Sequence, residues 1–316
     1  MKDNISKINQ VDIDLFEKVE KKETDVQVID SHNVGYLKKF FSTFFAKKSA
    51  VVGAVITLII FLMAFIMPAI VDSPIPDSNS LNLAPSAEHF FGTDNQGRDV
   101  FNRLWYSLRY SLILGLITTG INIFVAILLG MAMGYYRNFD NAMKSIIKIF
   151  YSIPSILLLV LLTVVPIPDG AEEETFKFWI LVLGLVLTGW VSPSQQVRGA
   201  TLQQKSQGFV VASKTLGTHD LFIIKDLFKY LIPTIISQIV IIFPRMILTE
   251  SVIGFLGLGI PGADTLGNMI SEGRAYIFEY PWQTFIPVAM LVITSISIQL
   301  FGEGLQEAST KVGGNN

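Results

Sequence analysis

The sequence predicts an all-α integral membrane protein with six transmembrane helices and both termini cytoplasmic. Three observations carry that reading. Of 316 residues, 51% are hydrophobic and only 16% charged, with a mean hydropathy of +0.50; soluble domains seldom combine so little charge with so much apolar content. Six runs, near 49–71, 107–134, 145–166, 177–194, 231–257 and 282–302, stay apolar for roughly the 20 residues a helix needs to cross the hydrocarbon core. Lys and Arg gather in alternate links between these runs, the asymmetry that sets orientation in a bilayer.

The elements follow in order. Residues 1–48 form a cytoplasmic tail and an interfacial segment. Within 1–35, Lys, Asp and Glu are near balance and aromatics are few, which predicts a flexible tail with an amphipathic turn at Ile13 to Val19. Phe40, Phe41, Phe44 and Phe45 interleave with Lys38, Lys39, Lys47 and Lys48, placing rings at headgroup level and ammonium groups in water. Those lysines precede the first span, so the N-terminus is assigned inside, and an even number of spans returns 303–316 to the same side. The first apolar run is too long, and the residues before it too polar, for a cleavable signal; it is expected to stay as an anchor.

The remaining links test that orientation. Arg137, Lys144 and Lys148 follow the second span, and Arg198, Lys205, Lys214, Lys225 and Lys229 fill the 195–230 loop; both are assigned inside. The 167–176 loop carries Asp169, Glu172, Glu173 and Glu174 with no cation and is assigned outside. One loop resists. Arg98, Arg103 and Arg109 fall in or next to the extracytoplasmic 72–106 loop, where Asp94 and Asp99 are available as local partners.

Several spans are interrupted by Pro68, Pro154, Pro233, Pro244 and Pro287. A freed carbonyl inside a bilayer is tolerated only where neighbouring helices or a wet cavity satisfy it. Gly130 and Gly134 lie one turn apart and either admit a close neighbour or, at Gly134, end the helix. Arg245 and Glu250 are costly charges inside or near the fifth span, and Asn122, Gln238 and Gln299 are milder polar residues on the second, fifth and sixth. They either line a pathway enclosed by spans two to six or hydrogen-bond from helix to helix. Five helical residues turn Glu250 about 140° from Arg245, which argues against an ideal pair.

Absences exclude several chemistries. The chain has no cysteine, so disulfides, thiolate catalysis and Cys-ligated zinc are ruled out. It has no G-x-x-x-x-G-K-[ST] loop for ATP phosphates and no H-E-x-x-H. His32, His89 and His219 are scattered and read as solvated loop residues. No catalytic residue, metal site or cofactor is expected in this chain, and a net charge of −2 gives no pointer to nucleic acid.

The most informative segment runs from Phe209 to Asp220 in the 195–230 loop. It predicts a short helix, a glycine turn at Gly217, and a second short helix with Thr218 as N-cap and Asp220 in its first turn. Phe209, Ala212 and Leu216 recur at helical spacing as an apolar stripe. Such a stripe either fills a groove on a soluble partner or lies on lipid headgroups.

This segment resembles the EAA loop of permease subunits in binding-protein-dependent ABC importers, the element that docks into the ATPase subunit. The family's Glu-Ala-Ala triplet falls on Val211-Ala212-Ser213 and its glycine on Gly217. No glutamate leads the triplet here, and Lys229-Tyr230 occupies the closing Leu-Pro position, with Ile232-Pro233 three residues later. The stretch from Phe91 through Gly92-Thr93-Asp94 and Gly97-Arg98-Asp99 to Arg103-Leu104 resembles the FGTDxxGRDxxSRL signature of peptide-importer permeases of the C type, which carry an extra N-terminal span. Glu250 to Pro261 with Leu266 to Glu272 is similar to that subunit's ExxLxFLGLGxxPPxxxWGxML loop, and Phe301 to Leu305 to its LGDGLRD tail.

The resemblance implies a type I ABC importer permease fold, with a first helix at 49–71 and a five-helix core at 107–302. It implies a bacterial plasma-membrane subunit that forms a peptide pathway with a sister permease in membrane lipid and has no nucleic-acid partner. Two cytoplasmic ATPase subunits, holding ATP and Mg, would engage Phe209, Ala212, Ser213, Leu216, Gly217, Thr218 and Asp220. An extracytoplasmic substrate-binding lipoprotein would meet the outer loops, with Asp94, Arg98 and Asp99 as candidate contacts unless they form a folded cap. Asn122, Gln238, Arg245, Glu250 and Gln299 are the candidates for pathway or gate. Relatives carry dipeptides, longer peptides, glutathione or nickel chelates. The rival reading, a stand-alone channel or ion-coupled secondary transporter, expects transport without nucleotide; a membrane scaffold would need no polar residues in its spans.

Overall fold

The computed structural model describes residues 36–313; the turn expected at Ile13 to Val19 lies outside them. The chain forms α1 (Tyr36–Ala46), α2 (Lys48–Ile70), α3 (Val100–Tyr135), α4 (Arg137–Ser152), α5 (Ser155–Thr163), α6 (Glu173–Gly189), α7 (Val191–Lys205), α8 (Gly208–Thr215), α9 (Asp220–Ile253), α10 (Leu266–Gly273) and α11 (Trp282–Gly313). Four helical stretches, Lys48–Ile70, Val100–Tyr135, Asp220–Leu258 and Trp282–Lys311, are long and apolar enough to cross a membrane. Two bent pairs, α4 with α5 at 77° and α6 with α7 at 41°, raise the number to six if each counts as one span.

The apolar windows at 145–166 and 177–194 fall on those bent pairs. Pro154 occupies the break between α4 and α5, where its missing N–H and fixed φ stop one helix and start another. The other four prolines are carried inside helices: Pro68 in α2, Pro233 and Pro244 in α9, and Pro287 in α11. Helices also outrun their apolar windows. Asp99 accepts a hydrogen bond from the backbone N–H of Asn102 at 3.0 Å and so starts α3 well ahead of the window.

A larger difference concerns the second helix of the 209–220 segment. It is not short: α9 runs unbroken for 34 residues into the bundle. Its N-cap is His219 rather than Thr218, because the His219 Nδ1 accepts from the backbone N–H of Leu221 at 3.3 Å. Leu227 and Leu231 are buried against Val197 and Met131, so the polar-looking start of α9 is packed in the same core as its apolar remainder.

Helix α3 is the centre of the bundle and contacts α2, α7 and α9. Its seam with α7 depends on the glycine pair. A Cβ on Gly130 would lie 2.7 Å from the Val197 Cβ, and one on Gly134 would lie 2.5 Å from the Thr201 Cβ. Gly134 therefore serves close approach and does not end the helix. At the start of the described chain, Phe44 is buried edge-on to Phe301 at 6.0 Å, while Phe41 and Phe45 stay exposed. Lys47 lies 3.7 and 3.4 Å from Glu303 and Glu307, which sets the start of α2 beside the end of α11.

Candidate functional site

The two ends of the bundle carry different chemistry. At one end, α8 turns its Val210 into a core with Tyr135, Val197, Ile223 and Leu227. The expected stripe faces outward: Phe209 and Ala212 are exposed, and Leu216 is 85% exposed. Leu221 and Phe222 extend that open apolar surface onto the start of α9. The turn between the helices is a Schellman motif, with the Thr218 N–H donating to the Ser213 carbonyl and the Gly217 N–H to the Lys214 carbonyl, both at 3.0 Å. Gly217 sits at φ +77°, where an L side chain is strained.

Tyr135, at the last turn of α3, fixes this end from beneath. Its hydroxyl donates to the Asp220 carboxylate at the start of α9, and its carbonyl accepts from the Lys205 ammonium of α7. Lys205 and Lys214 lie over its ring at 5.0 and 4.8 Å, a paired cation–π contact that adds α8. Arg198 of α7 donates to Asp140 of α4 at 2.8 Å, and Lys144 reaches the same carboxylate at 2.7 Å. Tyr135 and Asp140 were not among the residues predicted for this site; an aromatic followed by balanced charges at a helix junction was the only signal in the sequence.

The opposite end is built around buried arginines. Asp94 accepts from the backbone N–H groups of Gln96 and Arg98 at 2.8 and 3.0 Å and from the Arg98 Nε at 2.7 Å. Arg103, 2% exposed, donates to Asp94 at 3.0 Å, to Asp264 at 2.8 Å and to both oxygens of Glu272 at 2.8 and 3.0 Å. Arg98 also donates to Glu272. Burial pushes the Glu272 carboxyl up, but Arg103 and Arg98 outweigh that and hold it below the ordinary carboxylate range.

The structure thus joins Asp94 and Arg98 and sets Asp99 apart. Asp99 caps α3 and lies 2.8 Å from the His89 Nδ1, so His89 is partnered rather than simply solvated. Arg98 and Arg103 are compensated by the local Asp94 together with carboxylates from far along the chain. Asp264 and Glu272 were missed as their partners, because they lie 161 and 169 residues further along the chain than Arg103. Arg109 instead lies over the Tyr106 ring at 5.5 Å.

Between α9 and α10 the chain makes a π-helical turn at Gly254–Leu258, with Gly257 at φ +78°. Gly254 packs backbone to backbone on Gly267, where a Cβ would lie 2.8 Å away. Close packing and a special turn are divided between these two glycines.

The five polar residues of the spans also separate. Glu250, 1% exposed, accepts from the Ser111 hydroxyl at 3.0 Å and the Ser251 hydroxyl at 3.3 Å. Ser111 in turn accepts from the Leu266 N–H at 3.3 Å, so this group ties α3, α9 and α10. Asn122 is buried and donates to the Leu185 carbonyl at 3.4 Å, and Gln238 is buried on α9. Gln299 is exposed on α11. Arg245 lines a cavity of about 490 Å³ between the α4–α5 break, the α6–α7 joint and α9. Glu250 is absent from its lining. Among the described residues, no cluster of His, Asp or Glu could hold a metal ion.

Comparison with known proteins matches both parts of the chain. Residues 122–311 match the family described as "Binding-protein-dependent transport system inner membrane component", and residues 35–85 match the "N-terminal TM domain of oligopeptide transport permease C". The chain is 33% identical over 239 residues to the oligopeptide transport system permease protein OppC of Bacillus subtilis, covering 73% of this chain and 75% of the relative. It is 36% identical over 231 residues to the dipeptide transport system permease protein DppC of the same organism, covering 72% and 70%. The oligopeptide transport system permease protein AmiD of Streptococcus pneumoniae is 29% identical over 310 residues, covering 96% of this chain and 98% of the relative. The chain therefore belongs to the family of inner-membrane components of binding-protein-dependent transport systems, and within it to the permeases of peptide ABC importers.

Proposed function

We propose that this chain is a non-catalytic, six-span permease subunit of an ATP-driven peptide importer, with both termini cytoplasmic. It would form the pathway with a sister permease. Two ATPase subunits, holding ATP and Mg, would seat on the exposed face of α8, and a substrate-binding lipoprotein would deliver peptide at the opposite end. The observation that carries the reading is the pairing of that open apolar face with a rigid backing. Val210 and Lys214 hold α8 on Tyr135, and the Tyr135–Asp220 hydrogen bond ties the end of α3 to the start of α9.

Helix α9 then supplies the mechanical link. It begins beside α8 and ends at the Gly254–Leu258 turn, next to α10 and the Arg103–Glu272 group. A displacement of α8 by closing ATPases would travel along one continuous helix to the far end of the bundle. Packed cores resist continuous deformation and switch between discrete arrangements, so a small input is amplified. Glu250, bonded to Ser111 and through it to α10, couples the moving helix to α3.

The test is reconstitution in liposomes with a radiolabelled tripeptide. Uptake is expected only with the sister permease, the ATPases, the binding protein and ATP together. Transport by the purified chain alone would refute the assignment. Deletion of the gene should also abolish growth on peptides as the only amino-acid source.

A further inference from the structure

We propose that Arg245 is a carboxylate-binding residue in the transport pathway, holding the C-terminal carboxylate of a peptide in transit. This rests on the permease reading above and names one recognition group within it. Arg245 sits in the C-terminal half of α9, eight residues before its end at Ile253, exposed on the cavity of about 490 Å³. That size lies within the roughly 300–1,000 Å³ typical of small-ligand sites. Among the described residues, no carboxylate lies within salt-bridge distance of Arg245. The carboxylate nearest in sequence on the same helix, Glu250, is turned into its contacts with Ser111 and Ser251.

An ionised side chain at membrane depth is retained where it meets water, a counter-charge or a ligand. Here the walls are mostly apolar, from Phe150, Ile156, Leu159, Ile242, Met246 and Val252. The polar groups on the lining are Tyr151, Ser155, Thr188, Ser192 and Thr249. None of these side chains carries negative charge at neutral pH, so the site has one fixed cation and no built-in anion. The lining also includes Ser155 and Ile156, the first residues of α5, whose N–H groups precede the first intrahelical bonds and leave the positive end of that helix at the cavity. A guanidinium is suited to a planar carboxylate because its donors match both oxygens. Every unmodified peptide carries that group at one end, while its side chains vary. A pathway residue that recognises the shared carboxylate and leaves the rest to apolar walls would accept many sequences.

The assembled importer, reconstituted with its binding protein, tests this with trialanine and trialanine amide. Uptake of each is divided by the amount loaded on the binding protein, which is the same in every preparation. Arg245→Gln is expected to lower trialanine uptake roughly tenfold, the scale of one charge-assisted hydrogen bond, while amide uptake changes little. Arg245→Lys, which keeps the charge but loses the two-donor fork and controls for folding, is expected to retain part of the preference. In a second measurement, Ser192→Cys is labelled with a water-soluble thiol reagent. Trialanine should slow labelling when Arg245 is present and not in the Arg245→Gln background.

An acid-to-amide ratio unchanged by Arg245→Gln, with normal uptake, would overturn the inference and leave the permease reading intact. Equal loss of both peptides, with loss of the sister permease on purification, would overturn it by making Arg245 an interface residue. No ATP-dependent uptake by the unaltered importer would overturn the permease reading and this inference together.

Discussion

Arg103 on α3 and Glu272 on α10 meet through two hydrogen bonds at 2.8 and 3.0 Å, although 169 residues separate them. Arg103 is almost wholly buried, so removing it leaves Asp264 without its cation and Glu272 and Asp94 with Arg98 alone. Arg103→Ala is expected to cost about 3 kcal/mol, the low end for breaking a buried pair because Glu272 is partly open to solvent. Arg103→Lys keeps the charge and loses the fork, and should fall between. Thermal denaturation followed by helicity would check the order; equal midpoints for all three proteins would contradict it.

The same group predicts a pH dependence. The Glu272 carboxyl is held below its ordinary value of 4.5 in the folded chain. The unfolded chain therefore binds its proton first as pH falls, and stability declines with it. The contribution is fully present above pH 4.5 and is lost as pH drops through the lowered value. Midpoints measured from pH 7 down to pH 3.5 should be flat and then fall. Glu272→Gln should start lower and show a shallower fall over the acid range. An identical acid decline in both proteins would remove Glu272 as its source.

The α3–α7 seam gives a third prediction, with its control on the same helix. A side chain on Gly134 meets Thr201 at 2.5 Å, whereas Gly120 has nothing within 4 Å of its Cβ position. Gly134→Val is expected to destabilise by roughly 1–3 kcal/mol through overpacking. Gly120→Ala should be neutral or stabilise by about 0.5–1 kcal/mol, since an exposed helical glycine carries excess unfolded-state entropy. Similar midpoints for the two variants would mean the helices can separate at no cost.

These relationships differ in how far they could be read from the chain. Apolar runs located the long helices because burial in lipid needs length and little else. Orientation by Lys and Arg is consistent for most links, and Arg98, Arg103 and Arg109 stand as its exception in the sequence. Two of the partners of Arg103, Asp264 and Glu272, lie 161 and 169 residues further along the chain, and pairwise charge across such distances leaves no local pattern. The turn at Gly217 was legible because a positive φ demands that residue. Its N-cap was not: both Thr218 and His219 can accept a backbone hydrogen bond, and packing of Ile223 and Leu227 decided the register. The length of α9 was hidden for the same reason, since its first turns look polar until α3 and α7 cover one side.

The last prediction separates the turn from the surface it presents. At Gly217→Pro the ring fixes φ near −65° against the +77° observed, and the N–H that bonds the Lys214 carbonyl is lost. Gly217→Asn keeps both the N–H and ready access to positive φ. Pro is therefore expected to reduce peptide uptake and ATPase co-purification severely, and Asn only slightly. Leu216→Asp tests the face alone. Leu216 is 85% exposed and touches no core cluster, so the variant should melt within about 0.5 kcal/mol of the parent. If α8 seats in an ATPase groove, a carboxylate there must be desolvated, and co-purification should fall at least about tenfold. Unchanged ATPase binding in both Leu216→Asp and Gly217→Pro would leave this helix without a partner, and the permease would need a different handle.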